Sequence, residues 1–192
     1  MNSLLLRRFY IEIARWCKFF RQGGAALKYY ERARALAPDD ARLAASVGFE
    51  LAGLGRRREA LAQFDRAVAL KPDWAEAHFD RGFLLAELNN PGDAIAAFQR
   101  AVELDSKHDR ALYGHALVLI GQKRLDEAVP LLEKNTKLQP MSPYGWYQLA
   151  RVQFDRGKVE KTQAIIKHLA TFEPKIAAQL ARETGLPAPP KP

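Results

Sequence analysis

Residues 60–70 read Ala-Leu-Ala-Gln-Phe-Asp-Arg-Ala-Val-Ala-Leu, and residues 94–104 read Ala-Ile-Ala-Ala-Phe-Gln-Arg-Ala-Val-Glu-Leu. The two stretches are 34 residues apart and carry alanine, phenylalanine, arginine and leucine at matching places. Alanine, leucine and arginine favour helices, so each stretch is predicted to be helical. A fixed period of this length indicates an architecture in which each repeat stacks on its neighbours.

The 34-residue period continues in both directions along the chain. One step back from the first stretch finds the residues Ala26, Tyr30, Ala33, Leu36 and Pro38. One step forward from the second stretch finds the residues Ala128, Leu132, Leu138 and Pro140. Small residues also recur early in each period: Ala14, Gly48, Gly82, Ala116 and Ala150. Small residues let two helices approach closely, and prolines at the end of a period stop the second helix.

This combination of spacing and residues resembles the tetratricopeptide-repeat (TPR) family, whose unit is a helix-turn-helix of about 34 residues. The resemblance implies an all-α fold, a right-handed α-solenoid of about five TPR helix-turn-helix units plus a C-terminal capping helix. After an N-terminal extension at residues 1–6, we frame a TPR domain at 7–176 with the units 7–40, 41–74, 75–108, 109–142 and 143–176. Residues 177–192 are expected to hold the rest of the capping helix and a proline-rich tail.

Local signals mark the expected turns and the final helix. Gly55, Asn89 and Gly157 fall between the two helices of a unit, where a left-handed backbone is easiest for Gly or Asn. The second helix of the fifth unit departs from the pattern; an inserted residue is one way to align it, and its register stays open. Three residues of the capping helix are expected to face the last unit: Ile176, Leu180 and Ala181.

The formal charge of +8 is concentrated at one end of the chain. Residues 1–35 hold eight basic and two acidic side chains, a net charge of 8 − 2 = +6, which leaves 8 − 6 = +2 for the rest. We therefore do not expect nucleic acid as the partner, because the charge is local rather than spread along a binding face. A single cysteine, Cys17, excludes an intrachain disulfide and suits a reducing compartment. The leucines at 4–6 run directly into arginines, which argues against a secretory signal, and we expect a cytoplasmic protein.

The sequence carries no recognisable catalytic or ligand-binding motif. Its four histidines have no metal-ligand spacing to one another or to the cysteine, and no Gly-rich phosphate loop or nucleophile elbow is found. We therefore expect no catalytic residues, no metal and no cofactor, and a protein that is not an enzyme.

The resemblance further implies a concave groove lined by the first helix of each unit, in which TPR proteins bind partner segments. Carried over position by position, the expected groove residues are Phe49, Phe79, Phe83, Arg110, Tyr113, Leu117, Tyr147 and Arg151. The family's core positions are already filled by Val47, Leu51, Phe64, Leu85, Phe98, Leu119 and Leu132. This favours exposure of the groove aromatics over a second core layer, although the protein's own proline-rich tail is another occupant to consider.

The groove's composition predicts its partner. Aromatic and aliphatic side chains with arginines toward the ends suit an extended peptide or helix that has bulky apolar anchors and some acidic residues. The lysine and asparagine clamp with which heat-shock co-chaperones hold a C-terminal carboxylate is missing, and Asp80 stands at one of its positions. The expected function is a protein-interaction scaffold, an adaptor or assembly factor.

A second surface is predicted on the first helix, where Phe9, Ile13, Trp16 and Phe20 form an apolar stripe. Three interpretations stay open. The leucines at 4–6 fold back over the stripe as a cap, the stripe docks a partner subunit or a second copy in a homodimer, or residues 1–22 lie on an anionic membrane surface. The last interpretation gives the alternative function, a peripheral membrane-associated scaffold.

Overall fold

The computed structural model describes residues 3–187, and these residues form eleven helices and no strand. The helices are α1 (Ser3–Phe19), α2 (Gly23–Ala35), α3 (Ala41–Gly53), α4 (Arg57–Leu70), α5 (Ala75–Glu87), α6 (Pro91–Leu104), α7 (Asp109–Gly121), α8 (Leu125–Leu138), α9 (Pro143–Asp155), α10 (Val159–Ala170) and α11 (Pro174–Thr184). They form five helical hairpins followed by a single helix. The predicted all-α fold of helix-turn-helix units with a final helix is therefore confirmed, while the exact unit boundaries stay a prediction.

Each hairpin turns at one residue with a left-handed backbone, and these residues recur every 34 positions. They are Arg21, Gly55, Asn89, Lys123 and Gly157, with φ of 57°, 77°, 58°, 61° and 70°. The prediction for Gly55, Asn89 and Gly157 is confirmed. The first and fourth hairpins make the same turn with arginine and lysine, residue types that adopt this conformation at a cost.

Glycines at the crossing of paired helices let phenylalanine rings lie against the opposite backbone. A Cβ added to Gly48 would lie 3.0 Å from the nearest atom of the Phe64 ring. At Gly82 the corresponding distance to the Phe98 ring is 2.9 Å. The predicted role of small residues at this place is confirmed, since the glycine and the phenylalanine are matched partners in each hairpin.

The connections between hairpins are held by side chains that bind backbone groups. The Asp40 carboxylate accepts a hydrogen bond from the Arg42 backbone N–H at 2.9 Å and so caps α3. The Trp146 indole N–H donates to the Pro140 carbonyl, and His78 Nε2 lies at the same 2.9 Å from the Pro72 carbonyl oxygen. Because Trp146 and His78 occupy equivalent repeat positions, the same contact recurs with two different ring types.

The described helices form two compact units, of which the first extends to Asp105 and contains α1 to α6. Within it, consecutive helices pack against one another in chain order. Buried apolar side chains from both helices of each hairpin fill its core, including Leu43, Val47, Leu51, Phe64 and Leu84. All seven core residues predicted across the chain are buried.

The second unit begins at Ser106 and contains α7 to α11. Its fifth hairpin needs no inserted residue, because α9 and α10 begin 34 residues after α7 and α8. Thr162 takes the buried place held by Ala128 in the preceding hairpin, and its hydroxyl donates to the Lys158 carbonyl at 3.1 Å. The idea of an insertion is therefore wrong, and the polar residue is accommodated because its one donor is satisfied within the helix.

The last helix, α11, covers this hairpin by packing on both α9 and α10. Ala177, Leu180 and Ala181 are buried there, and Gly185 ends the helix with a left-handed backbone. Ile176 is half-buried. The predicted proline-rich tail falls mainly on residues 188–192, which lie outside the described residues. None of the helices in residues 3–187 has the length and apolar character needed to cross a bilayer.

Candidate functional site

Two phenylalanines of the first unit are unusually exposed for aromatic side chains on packed helices. Phe49 of α3 is 47% exposed and Phe83 of α5 is 53% exposed. They are 34 residues apart and therefore occupy equivalent positions of neighbouring hairpins. Their exposure agrees with the expectation that these rings face outward.

The Phe49 ring is held from below by the core and bordered by a cation. It packs edge-on against Phe64, with ring centroids 5.7 Å apart. The Lys18 ammonium lies 5.5 Å from the Phe49 ring centroid and 3.7 Å from the carboxylate of Glu50, which is almost fully buried. Lys18 and Glu50 were not among the predicted site residues. Their charges, repeated on neither α5 nor α7, were the signal that could have identified them.

Phe79, in contrast, is not an exposed groove residue. It is only 9% exposed, with its ring centroid 5.9 Å from that of Phe98 and 6.4 Å from that of Phe83. The expectation of groove exposure is wrong here, because the ring fills the space between core and surface. Phe79 supports Phe83 from beneath instead of presenting a face of its own.

In the second unit, the predicted residues of α7 differ in exposure. Arg110 and Leu117 are exposed, whereas Tyr113 is half-buried. Burial raises the pKa of the Tyr113 hydroxyl, and a hydrogen bond with Gln148 acts in the opposite direction. Tyr113 therefore stays neutral at physiological pH and contributes an apolar ring with one polar end.

The two predicted residues of α9 are engaged by the protein's own last helix. The Tyr147 hydroxyl lies 2.8 Å from a carboxylate oxygen of Glu183 in α11, and the Arg151 guanidinium lies 3.6 Å from the same carboxylate. Arg151 also lies 5.9 Å from the Tyr147 ring centroid. Hydrogen bonds from Gln179 and then Tyr147 lower the pKa of Glu183, so it is ionised at neutral pH. These two residues hold α11 in place, a role that the sequence did not predict.

The N-terminal helix carries the other exposed apolar surface. Helix α1 begins at Ser3 and continues through the leucines, so that Leu5 is 58% exposed. The leucines therefore do not fold back as a cap, and that interpretation is wrong. Of the predicted stripe, Phe9 and Trp16 are exposed on α1 and Ile13 is half-buried.

Three rings gather at the C-terminal end of α1. Trp16, Phe19 and Phe20 lie with centroids 5.2 to 6.2 Å apart, and Phe20 lies just beyond the helix end. Phe19 is 75% exposed, more than any predicted member of the stripe. The sequence analysis omitted it because it does not fall on the series that begins at Phe9, although it lies three residues after Trp16 on the same helix face.

The histidines have structural surroundings. His78 contacts a carbonyl, and His108 accepts a hydrogen bond from the Ala111 backbone N–H at the start of α7. Burial lowers the pKa of His115, which favours the neutral ring. Within residues 3–187, no group of three or more His, Cys, Asp or Glu side chains is arranged to hold a metal ion.

Comparison with known proteins agrees with the hairpin geometry. A family model for the tetratricopeptide repeat matches residues 50–109 and 84–134. Among solved structures, YrrB, a TPR protein with an unusual peptide-binding site, is 22% identical with a TM-score of 0.75, and the match covers 90% of each chain. No protein with a curated description matches the sequence.

Two further solved structures have the same fold. PilF of Pseudomonas aeruginosa is 16% identical with a TM-score of 0.81, and the match covers 96% of this chain and 87% of that one. MamA from Desulfovibrio magneticus RS-1 is 20% identical with a TM-score of 0.76, covering 93% of this chain and 96% of that one. At these identities the likeness concerns the fold alone. The 34-residue hairpins, the family match and these structures together identify the chain as a tetratricopeptide-repeat protein.

Proposed function

We propose that the protein is an interaction scaffold, an adaptor or assembly factor, that binds a segment of a partner protein over α3 and α5 of its first unit. The observation that carries this proposal is the pair of half-exposed rings, Phe49 and Phe83, at equivalent repeat positions. Exposed aromatic side chains that recur on one face are typical of binding surfaces, because a partner can remove them from water.

The rings are positioned before any partner arrives. Phe64 supports Phe49, and Phe79 supports Phe83, so that neither ring has to be ordered on binding. Binding then costs less conformational entropy than it would on a mobile surface. A binding role of this kind needs no catalytic group, and a non-enzymatic scaffold is the function that we propose.

The charges around Phe49 indicate the partner's chemistry. Lys18 borders the ring, and Arg15 and Arg42 are exposed on α1 and α3. A partner that places an apolar anchor on Phe49 therefore places its neighbouring residues beside cations. The favoured partner is an extended peptide or helix with bulky apolar residues and nearby acidic ones.

The second unit offers Leu117, Tyr113 and Arg110 on α7 as a further contact strip with the same chemistry. Tyr147 and Arg151 can join it only where a partner competes with Glu183. We place this activity in the cytoplasm, because a chain with Cys17 as its single cysteine suits a reducing compartment.

The test is a selection of peptides from a random display library on the purified protein. We expect the enriched peptides to share bulky apolar residues flanked by acids. Because each buried aromatic anchor contributes about 2 kcal/mol, F49A/F83A should weaken a selected peptide by well over tenfold. The matched control is M141A/Y144A, which removes two equally exposed apolar side chains from the second unit.

Circular dichroism should show unchanged helicity in both variants, since all four side chains are exposed. Equal affinity of the selected peptides for wild-type protein and F49A/F83A would contradict the proposed site. Selection of peptides without apolar anchors would contradict the proposed partner chemistry.

A further inference from the structure

The exposed side of α1 has a regular apolar stripe that is independent of the Phe49–Phe83 surface. Leu5, Phe9, Glu12, Trp16 and Phe19 follow one another at intervals of four and three residues, so they lie along one helix face. All five side chains are exposed, and four of them are large and apolar. The opposite face of α1 packs on α2 through Ala14 and its neighbours, which leaves this stripe as the outer surface.

Basic side chains border the stripe on both sides. Arg8 and Arg15 each precede a ring of the stripe by one residue, and therefore lie along one of its edges. On the other edge, Tyr10 follows Phe9, and the Arg32 guanidinium of α2 lies 5.7 Å from the Tyr10 ring centroid. The stripe thus lies between rows of cations, in a segment where eight basic and two acidic residues give 8 − 2 = +6.

The charge also argues about what covers the stripe. A second copy of the same face would bring two segments of charge +6 together. Glu12 lies at the middle of the stripe, so in a two-fold antiparallel pairing it would face its own copy. The single carboxylate is already paired, with Arg15 Nη1 2.8 Å from its oxygen. An anionic occupant matches the surface better than a second basic one does.

We propose that α1 docks the protein on an anionic lipid membrane, with Leu5, Phe9, Trp16 and Phe19 inserted at the interface. Tryptophan and phenylalanine are suited to the boundary between headgroups and acyl chains. Arg8, Arg15 and Arg32 lie where they contact the surrounding headgroups, and attraction to anionic lipid adds to the apolar contact. The docking is peripheral, because the other side of α1 stays packed on α2.

The experiment is co-flotation of the full chain with vesicles of phosphatidylcholine, and with vesicles of equimolar phosphatidylcholine and phosphatidylserine. We expect binding to the anionic vesicles only, weakened by added salt. R8Q/R15Q should weaken binding about tenfold or more, since two cations leave the surface. F9A/W16A should weaken it at least as much, whereas E12Q should strengthen it several-fold.

Two control variants separate local from general effects. K134Q/K137Q makes the same change of net charge on exposed residues of α8, and M141A/Y144A removes exposed apolar side chains elsewhere. Both should float like the wild-type protein. Equal binding to both vesicle types, absence of binding, or equal losses in the control variants would overturn the proposal. So would a dimer in solution that F9A/W16A abolishes, because the stripe would then belong to a second copy.

Discussion

The last hairpin of this protein is covered and the first is not. Helix α11 lies across α9 and α10, buries Leu180 and binds Tyr147 and Arg151 through Glu183. On α1, no helix in residues 3–187 covers Phe9, Trp16 or Phe19. Repeat units cannot bury their apolar faces alone, so an end of the array is either capped or available to a partner. The comparison teaches that the two terminal hairpins have solved this problem differently.

The side chains explain the difference. Helix α11 presents small and apolar residues to the hairpin and polar residues to water, as a cap must. The exposed stripe of α1 is too apolar for a finished surface and too basic to pair with itself. Breaking the cap should therefore harm folding, whereas changing the stripe should harm binding.

The largest effect is expected for Leu180→Ala. Leu180 is completely buried between α11 and the fifth hairpin, so the smaller side chain leaves a cavity. We expect the free energy of unfolding to fall by about 3 kcal/mol, measured by chemical denaturation of the full chain. Trp16→Ala, a larger truncation on the uncovered face, should change it by less than about 0.5 kcal/mol. Similar losses in the two variants would contradict the contrast between a capped and an uncapped end.

A smaller effect is expected from exchanging the turn residues of the two terminal hairpins. Arg21 and Gly157 adopt the same left-handed backbone, with φ of 57° and 70°. Gly157→Arg should lower the thermal stability by about 1 kcal/mol, since a Cβ is unfavourable there. Arg21→Gly should raise it by about 0.5 kcal/mol, because glycine also gains freedom in the unfolded chain. If both substitutions acted in the same direction, the equivalence of the two turns would be refuted.

The smallest effect concerns the pH dependence of the cap. Hydrogen bonds from Gln179 and Tyr147 lower the pKa of Glu183 in the folded protein. Its contribution is therefore complete above the unfolded pKa of about 4.3 and is lost as the pH falls through the lower folded value. Because the carboxylate is largely exposed, we expect only a few tenths of a kcal/mol. The stability difference between wild-type protein and Glu183→Gln should shrink on acidification; a difference that is constant with pH would contradict this role.

The sequence predicted the hairpins because their causes are local and repeated. Gly48 and Gly82 announce the close helix crossing, and glycine or asparagine announces three of the five turns. The turns at Arg21 and Lys123 carry no such residue, and they follow only from the 34-residue spacing. The comparable place of Thr162 could also have been found by counting from Ala128, so its register was a matter of alignment and not of structure.

The candidate site was less predictable, because repeat position gives the face of a helix but not the depth of a side chain. Phe49 and Phe79 were both expected in the groove, yet only Phe49 is exposed, because Phe79 packs against Phe98. The engagement of Tyr147 depends on how α11 lies across α9, which no residue of the repeat pattern specifies. Depth and occupancy are tertiary properties, and they required the structure.

Packing in chain order has a consequence for how the exposed stripe arises. In each unit, helices that contact one another are mostly consecutive in the chain, so their pairing closes only short loops. Proteins with such low contact order fold in microseconds to milliseconds. Partly folded chains with exposed apolar surface are then short-lived, and the rings of α1 stay in contact with water long after folding is complete. Their exposure is a property that the mature molecule keeps, at a standing risk of aggregation that only a bound surface relieves.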